Sequence, residues 1–144
     1  MLRQESWFKL LLVLLVPTLT LGCQGQQEGP ARGALTGQVS WEGESVQDGR
    51  ISLIPIEGTS GPASGGAISE GRYSIPASKG PVIGKHRVEI TANRKTGGQQ
   101  KAMPPATGTV DEMEQYIPPK YNTNSVLTTD VQQGDNTADF NLKQ

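Results

Sequence analysis

Cysteine and histidine each occur once in this chain of 144 residues, as Cys23 and His86. A single cysteine cannot close an internal disulfide. A single histidine excludes the common catalytic zinc sites, which draw three protein ligands and lean on histidine. Charge of one sign is also missing. The formal net charge is −1, too balanced to point to nucleic acid or an anionic membrane surface as a partner. Long apolar runs are scarce. The only weakly polar stretch of note, Leu10 to Gly22, has 13 residues, short of the roughly 20 that a membrane-spanning helix needs. No internal repeat is visible, and no convincing helix follows residue 23, so no Gly-rich phosphate loop leads from a strand into a helix.

What is present is β patterning, densest from Leu35 to Thr91. Leu35, Val39 and Trp41 alternate with Thr36, Gln38 and Ser40, with Gly37 fitting the first set. A period of two puts one set on each face of a sheet. Glu42 to Ser45 is a polar turn, and Asp48-Gly49 is a turn dipeptide. Arg50 to Ile56 is apolar on both faces, which suggests a strand covered on both sides. Pro55 has no N–H to donate, so that strand ends there or lies at an edge. Tyr73 and Ile75 follow a Glu70-Gly71 turn. His86, Val88 and Ile90 share one face of the next segment, with Lys85, Arg87, Glu89 and Thr91 on the other.

The order Gly43, Val46, Gly49, Ile51, then Ser69 to Tyr73, then Gly84 to Ile90 resembles the carboxypeptidase regulatory-like domain. The resemblance covers roughly Leu35 to Thr91. It departs from the family at Ser45, where Pro is usual, in the short Ser69–Gly71 turn without its Asp, and at His86, where Tyr is common. It implies an all-β chain: a single Greek-key, transthyretin-like β-sandwich of about seven strands. The matching positions are turns and core, and carry no chemistry. Some surface sandwiches form Lys–Asn isopeptide cross-links. Asn141 is available, but Ala34 to Trp41 contains no Lys, so none is expected.

The first 22 residues read as a helical signal peptide: Arg3 and Lys9 precede an apolar core. Thr20-Leu21-Gly22-Cys23 resembles the lipobox of bacterial lipoproteins, which implies that Cys23 is acylated and becomes the mature N-terminus. Multiple acyl chains give stable membrane anchoring. An ordinary signal peptide with an incidental Cys is the alternative. Gln24, rather than Asp, at the next position leans towards the outer membrane. Loss of residues 1–22 leaves a net charge of about −2. Residues 23–33 read as a flexible tether, and 34–144 as one β-sandwich domain.

Within that domain, 92–115 reads as a long polar loop, expected to be disordered because Met103, Val110 and Met113 are its only large apolar residues. Ile117 to Asn122 resembles a segment of small bacterial lipoproteins with this domain. Its Pro118-Pro119 pair fixes an extended entry, and Ile117 and Tyr121 are expected to pack the loop's end back onto the domain. Leu127 to Val131 and Ala138 to Leu142 alternate around Gly134-Asp135-Asn136 and read as a closing hairpin.

Candidate chemistry is sparse. His86 and Glu89 have H-x-x-E spacing, but residues three apart on a strand face opposite ways. Serines and aspartates are plentiful without a nucleophile elbow. Glu42, Glu44 and Asp48 match no calcium loop. No metal, catalytic residue or cofactor is implied. Trp41 and Tyr73 are in phase with buried faces, which leaves Tyr116 and Tyr121 as the candidate binding surface. The expected function is a lipid-anchored envelope protein. It would act as a non-catalytic binding or assembly module for an envelope protein or polysaccharide, anchored to the membrane and facing the periplasm or exterior. A purely structural component is the alternative, and a hydrolase has the least support.

Overall fold

Leu35 and Val39 are fully buried while Thr36 and Gln38 are exposed, and that alternation lays down the first strand. The computed structural model describes residues 29–144; the expected signal peptide, Cys23 and Gln24 lie outside them. Ten strands follow one another: β1 (Gly33–Trp41), β2 (Glu44–Ser45), β3 (Asp48–Pro55), β4 (Ser64–Ser69), β5 (Arg72–Ile75), β6 (Gly84–Lys101), β7 (Thr109–Gln115), β8 (Thr128–Val131), β9 (Gly134–Thr137) and β10 (Phe140–Leu142). Short 3-10 turns at Ala77–Lys79 and Pro119–Tyr121 are the only helical pieces among the described residues. The chain is all-β.

The strands form one sheet in the order β10-β1-β5-β4-β3-β6-β7, with β2 and β9 also on β1 and β8 on β6. Pairing is antiparallel except for β9 and β10, which run parallel to β1. Tight turns set the register. Glu70 and Gly71 both have positive φ, 50° and 76°, the two-residue turn whose twist suits a hairpin, and Ser69 pairs with Arg72. Pro55 closes β3, as its missing N–H requires.

Buried side chains come from one face of this sheet. Leu35 and Val39 of β1, Ile51 and Leu53 of β3, Ile68 of β4, Tyr73 and Ile75 of β5, Val88 and Ile90 of β6, and Phe140 and Leu142 of β10 join in a single cluster. One cluster requires the sheet to curl. The connections demonstrate it: β8 adjoins β6 and β9 adjoins β1, strands well separated in the sheet order, yet only Gln132 and Gln133 lie between β8 and β9. Arg32 and Val82 close the same gap with an isolated bridge.

Several expectations change. There are more strands than the expected seven or so, because short strands flank β1 and the polar stretch forms a strand of its own. The 92–115 stretch is not a structureless loop. It is the second half of β6 paired with β7, held by polar cross-strand pairs that an apolar period cannot reveal. The C-terminal segments do not form a hairpin with each other: β8 adds to β6, and β9 and β10 add to β1. The tether ends early. Arg32 donates from Nη1 to the Gly80 carbonyl at 2.6 Å, and the Gly33 N–H donates to Pro81 O at 3.0 Å, so β1 starts inside the expected tether.

Glycine is required at position 37. A Cβ there would stand 1.8 Å from the Ala138 carbonyl oxygen, so only glycine lets the returning chain pass so close to β1. The Tyr73 hydroxyl donates to that same oxygen at 2.6 Å, and the Gln38 N–H donates to Asp139 Oδ1 at 2.8 Å. Side chains thus stand in where the β1 ladder is interrupted between β9 and β10.

Candidate aromatic corner

Tyr116 and Tyr121 enter the structure from opposite ends of one short connection. Tyr116 follows β7, and its N–H donates to the Ala92 carbonyl at 3.2 Å. Pro118, at φ −58° and ψ 151°, carries the chain in extended form into the 3-10 turn that ends at Tyr121. Ile117 between them is buried in the core cluster. Asn122 is buried too, and its Nδ2 donates to the carbonyls of Ile117 (2.9 Å) and Pro118 (3.2 Å). Buried amide bonds of this kind fix a connection that would otherwise leave its carbonyls unpaired.

Both tyrosines meet Trp41 at the end of β1. Trp41 and Tyr116 have ring centroids 6.5 Å apart at 70°, and Trp41 and Tyr121 are 6.4 Å apart at 79°. These are edge-to-face contacts, favourable because a positive ring edge meets a negative face. A cation caps each tyrosine: Arg94 lies 5.2 Å from the Tyr116 centroid, and Lys120 5.2 Å from that of Tyr121. Arg94 also pairs with Glu114 at 2.6 Å. Burial raises the pKa of the Tyr116 phenol, and the Arg94 charge partly opposes this.

All three rings are half-buried. Trp41 packs against the core cluster as its phase suggested but is only partly buried, and the two tyrosines, packed there too, are less open than expected. The Tyr121 hydroxyl donates to the Lys143 carbonyl (2.9 Å) and accepts from the Lys143 N–H (3.1 Å), which fastens the C-terminal segment to the corner. A cleft of ≈ 190 Å³ opens beside Trp41 and Tyr116, with Glu44, Asp48, Asn93 and Arg94 around it. Tyr121 does not border it. The cleft offers two aromatic side chains, two carboxylates, the amides of Gln47 and Asn93, and a guanidinium, a set suited to a hydroxylated or cationic group. The roles of Trp41, Arg94 and Lys120 escaped sequence reasoning, because they depend on where the ends of β1, β6 and the Pro pair meet.

Tyr73, by contrast, is a core residue, with only 4% of its surface exposed. Burial, with Asp139 nearby, raises its pKa strongly. His86 is fully buried on the inner face of β6. Its Nδ1 lies 3.0 Å from the Gly84 carbonyl, and its Nε2 has no partner among the described residues. Glu89 is on the other face, bonded to Arg87 at 2.8 Å. No group of three or more His, Cys, Asp or Glu side chains capable of holding a metal occurs among the described residues. No helix among them is long and apolar enough to cross a membrane.

No protein-family model matches this chain, and neither a curated protein nor a solved structure does.

Proposed function

We propose that this is a lipid-anchored protein of the cell envelope. Its β domain acts as a non-catalytic binding or assembly module for an envelope protein or polysaccharide. The observation that carries the proposal is the aromatic corner: Trp41 and Tyr116 border a cleft with Glu44, Asp48 and Arg94. Aromatic edges beside fixed polar groups suit the apolar faces and hydroxyls of sugars, or a polar protein segment. The curled sheet with a one-sided core is read as a transthyretin-like sandwich, and the two-residue link between β8 and β9 supports that reading. The anchor is Cys23, in its lipobox-like setting, with the domain facing the periplasm or exterior and the outer membrane favoured.

A purely structural role has an observation of its own. The Tyr121 hydroxyl is spent on Lys143, so that ring serves the fold whether or not a ligand exists. Co-sedimentation of the full chain with insoluble envelope polysaccharide, over a concentration series, separates the two. Saturable binding that Tyr116→Ala abolishes, with the circular dichroism unchanged, is the expected result. Absence of binding in both proteins supports the structural role or a protein partner, and in-cell cross-linking then decides between those. For the anchor, Cys23→Ser should move the protein from the detergent phase to the aqueous phase, since stable anchoring depends on the acyl chains.

A further inference from the structure

The solvent-facing side of the sheet carries a second surface, away from the aromatic corner. Strand pairing sets Thr137 of β9 beside Thr36 of β1, and Thr36 beside Ser74 of β5. The β4–β5 register then brings Ala67 abreast of Ser74. One step along, Gln38 lies beside Arg72, and Arg72 beside Ser69. These residues line a cavity of ≈ 730 Å³, far larger than the aromatic cleft. Its small side chains make it a trough rather than a flat sheet face.

The lining limits what the trough can hold. Arg72 is its one cation, set against Glu70 and Asp139, so a polyanion finds too little positive charge. Arg72 has no ion-pair partner among the described residues. No aromatic face is open to stack a base or bury a lipid tail. Tyr73 also lines the trough, but only 4% of its surface is exposed and its hydroxyl is occupied by Ala138 O. What remains is hydroxyl-rich: Ser69, Ser74 and Thr137 can each both donate and accept, and Thr36, whose hydroxyl donates weakly to the Asn136 carbonyl at 3.4 Å, can still accept. Asp139 is held by the Gln38 N–H through Oδ1, leaving its second oxygen to accept from a ligand hydroxyl. From β9 to β4 is three strand spacings, about 14 Å, close to the reach of a trisaccharide.

We propose that this trough is a binding site for a neutral oligosaccharide chain of about three sugar units lying across β9, β1, β5 and β4. The site goes beyond the function proposed above: it uses no residue of the aromatic corner and does not depend on it.

The test uses the isotope-labelled full chain in a sugar-free detergent, titrated with three neutral trisaccharides (β-1,4-glucose, α-1,4-glucose and β-1,4-N-acetylglucosamine) and one sulfated trisaccharide. Saturating amide shifts confined to the residues that line the trough on β9, β1, β5 and β4 and in their connections, Thr137 and Asp139 among them, are expected with at least one neutral sugar. Arg72→Ala should raise that Kd about tenfold, the loss of a charge-assisted hydrogen bond. Ala67→Leu, which fills the trough from an exposed position, should also weaken binding. Tyr116→Ala should leave the Kd unchanged. Shifts centred on Trp41 and Tyr116 instead, tighter binding of the sulfated sugar, or no shift with any neutral sugar would overturn the proposal.

Discussion

Strand β6 is one continuous strand with two characters. From Gly84 to Ala92 it lies in the main sheet, and His86, Val88, Ile90 and Ala92 are buried in strict alternation. From Asn93 to Lys101 it pairs with β7 alone, and nothing on it is buried. Every residue of β7 is exposed as well. The first half is held by apolar burial. The second is held by side chains that pair across the ribbon: Arg94 with Glu114, Lys95 with Asp111, and Thr96 with Glu112. The same backbone conformation thus has two different causes. A two-stranded ribbon without a core is marginal on its own, so the two halves should differ in stability even though the strand is unbroken.

Four experiments can break or sharpen that contrast. The largest effect should come from placing a charge in the buried half. Val88→Asp, or Ile51→Asp on the neighbouring strand, buries an unpaired carboxylate at a cost of several kcal/mol. The domain should unfold or melt far lower. A thermal melt with an unshifted midpoint would mean that the inner face is not the core.

Acid should have an intermediate effect. Burial lowers the pKa of His86 from its ordinary 6.5, opposed by the Gly84 carbonyl and the Asp130 charge. The unfolded chain therefore takes up a proton more readily than the folded one. His86's contribution to stability is complete above pH 6.5 and declines as pH falls below it towards the depressed folded value. Denaturant titrations at pH 7.5 and pH 5 should separate, and His86→Leu should reduce the separation. An equal separation in the variant would assign the acid sensitivity to other groups.

The smallest effect should come from the exposed half. Glu114→Ala removes an exposed ion pair and should change global stability by less than about 1 kcal/mol. Amide hydrogen exchange gives the finer test. Residues 94–101 and 109–115 should exchange much faster than 86–92, because the ribbon can open without disturbing the core. Equal protection along the whole of β6 would abolish the distinction.

This contrast also explains what the sequence disclosed. The alternation of Leu35 and Val39, of Ile51 and Leu53, and of Val88 and Ile90 was legible because burial imposes a period of two. The Glu70-Gly71 turn was legible because it needs residues tolerant of positive φ. The ribbon was not, since Arg94, Lys95 and Thr96 support β structure only through partners some 15 to 20 residues away. The fate of the C-terminal segments was hidden for a similar reason. Their alternation identifies Val131, Phe140 and Leu142 as inward-facing, but not which strands they join. Of the aromatic corner, Tyr116 and Tyr121 could be singled out by their flanking prolines. Trp41, in phase with the core, could not be recognised as the ring they share.

The seam between β1 and the C-terminal strands bears on how fast this protein can form. Gln38 and Asp139 bond across a separation of 101 residues. Contacts so distant in sequence cannot repay the entropy of closing the chain until most of it is in place. Topologies dominated by such pairings fold slowly. A chain emerging N-terminus first presents β1 with one edge open until residues 134–142 arrive. During that interval the unfinished edge of β1 can accept a strand from another chain. Removing β9 and β10 would make that interval permanent, and the truncated protein should accumulate as aggregate rather than as a smaller folded domain.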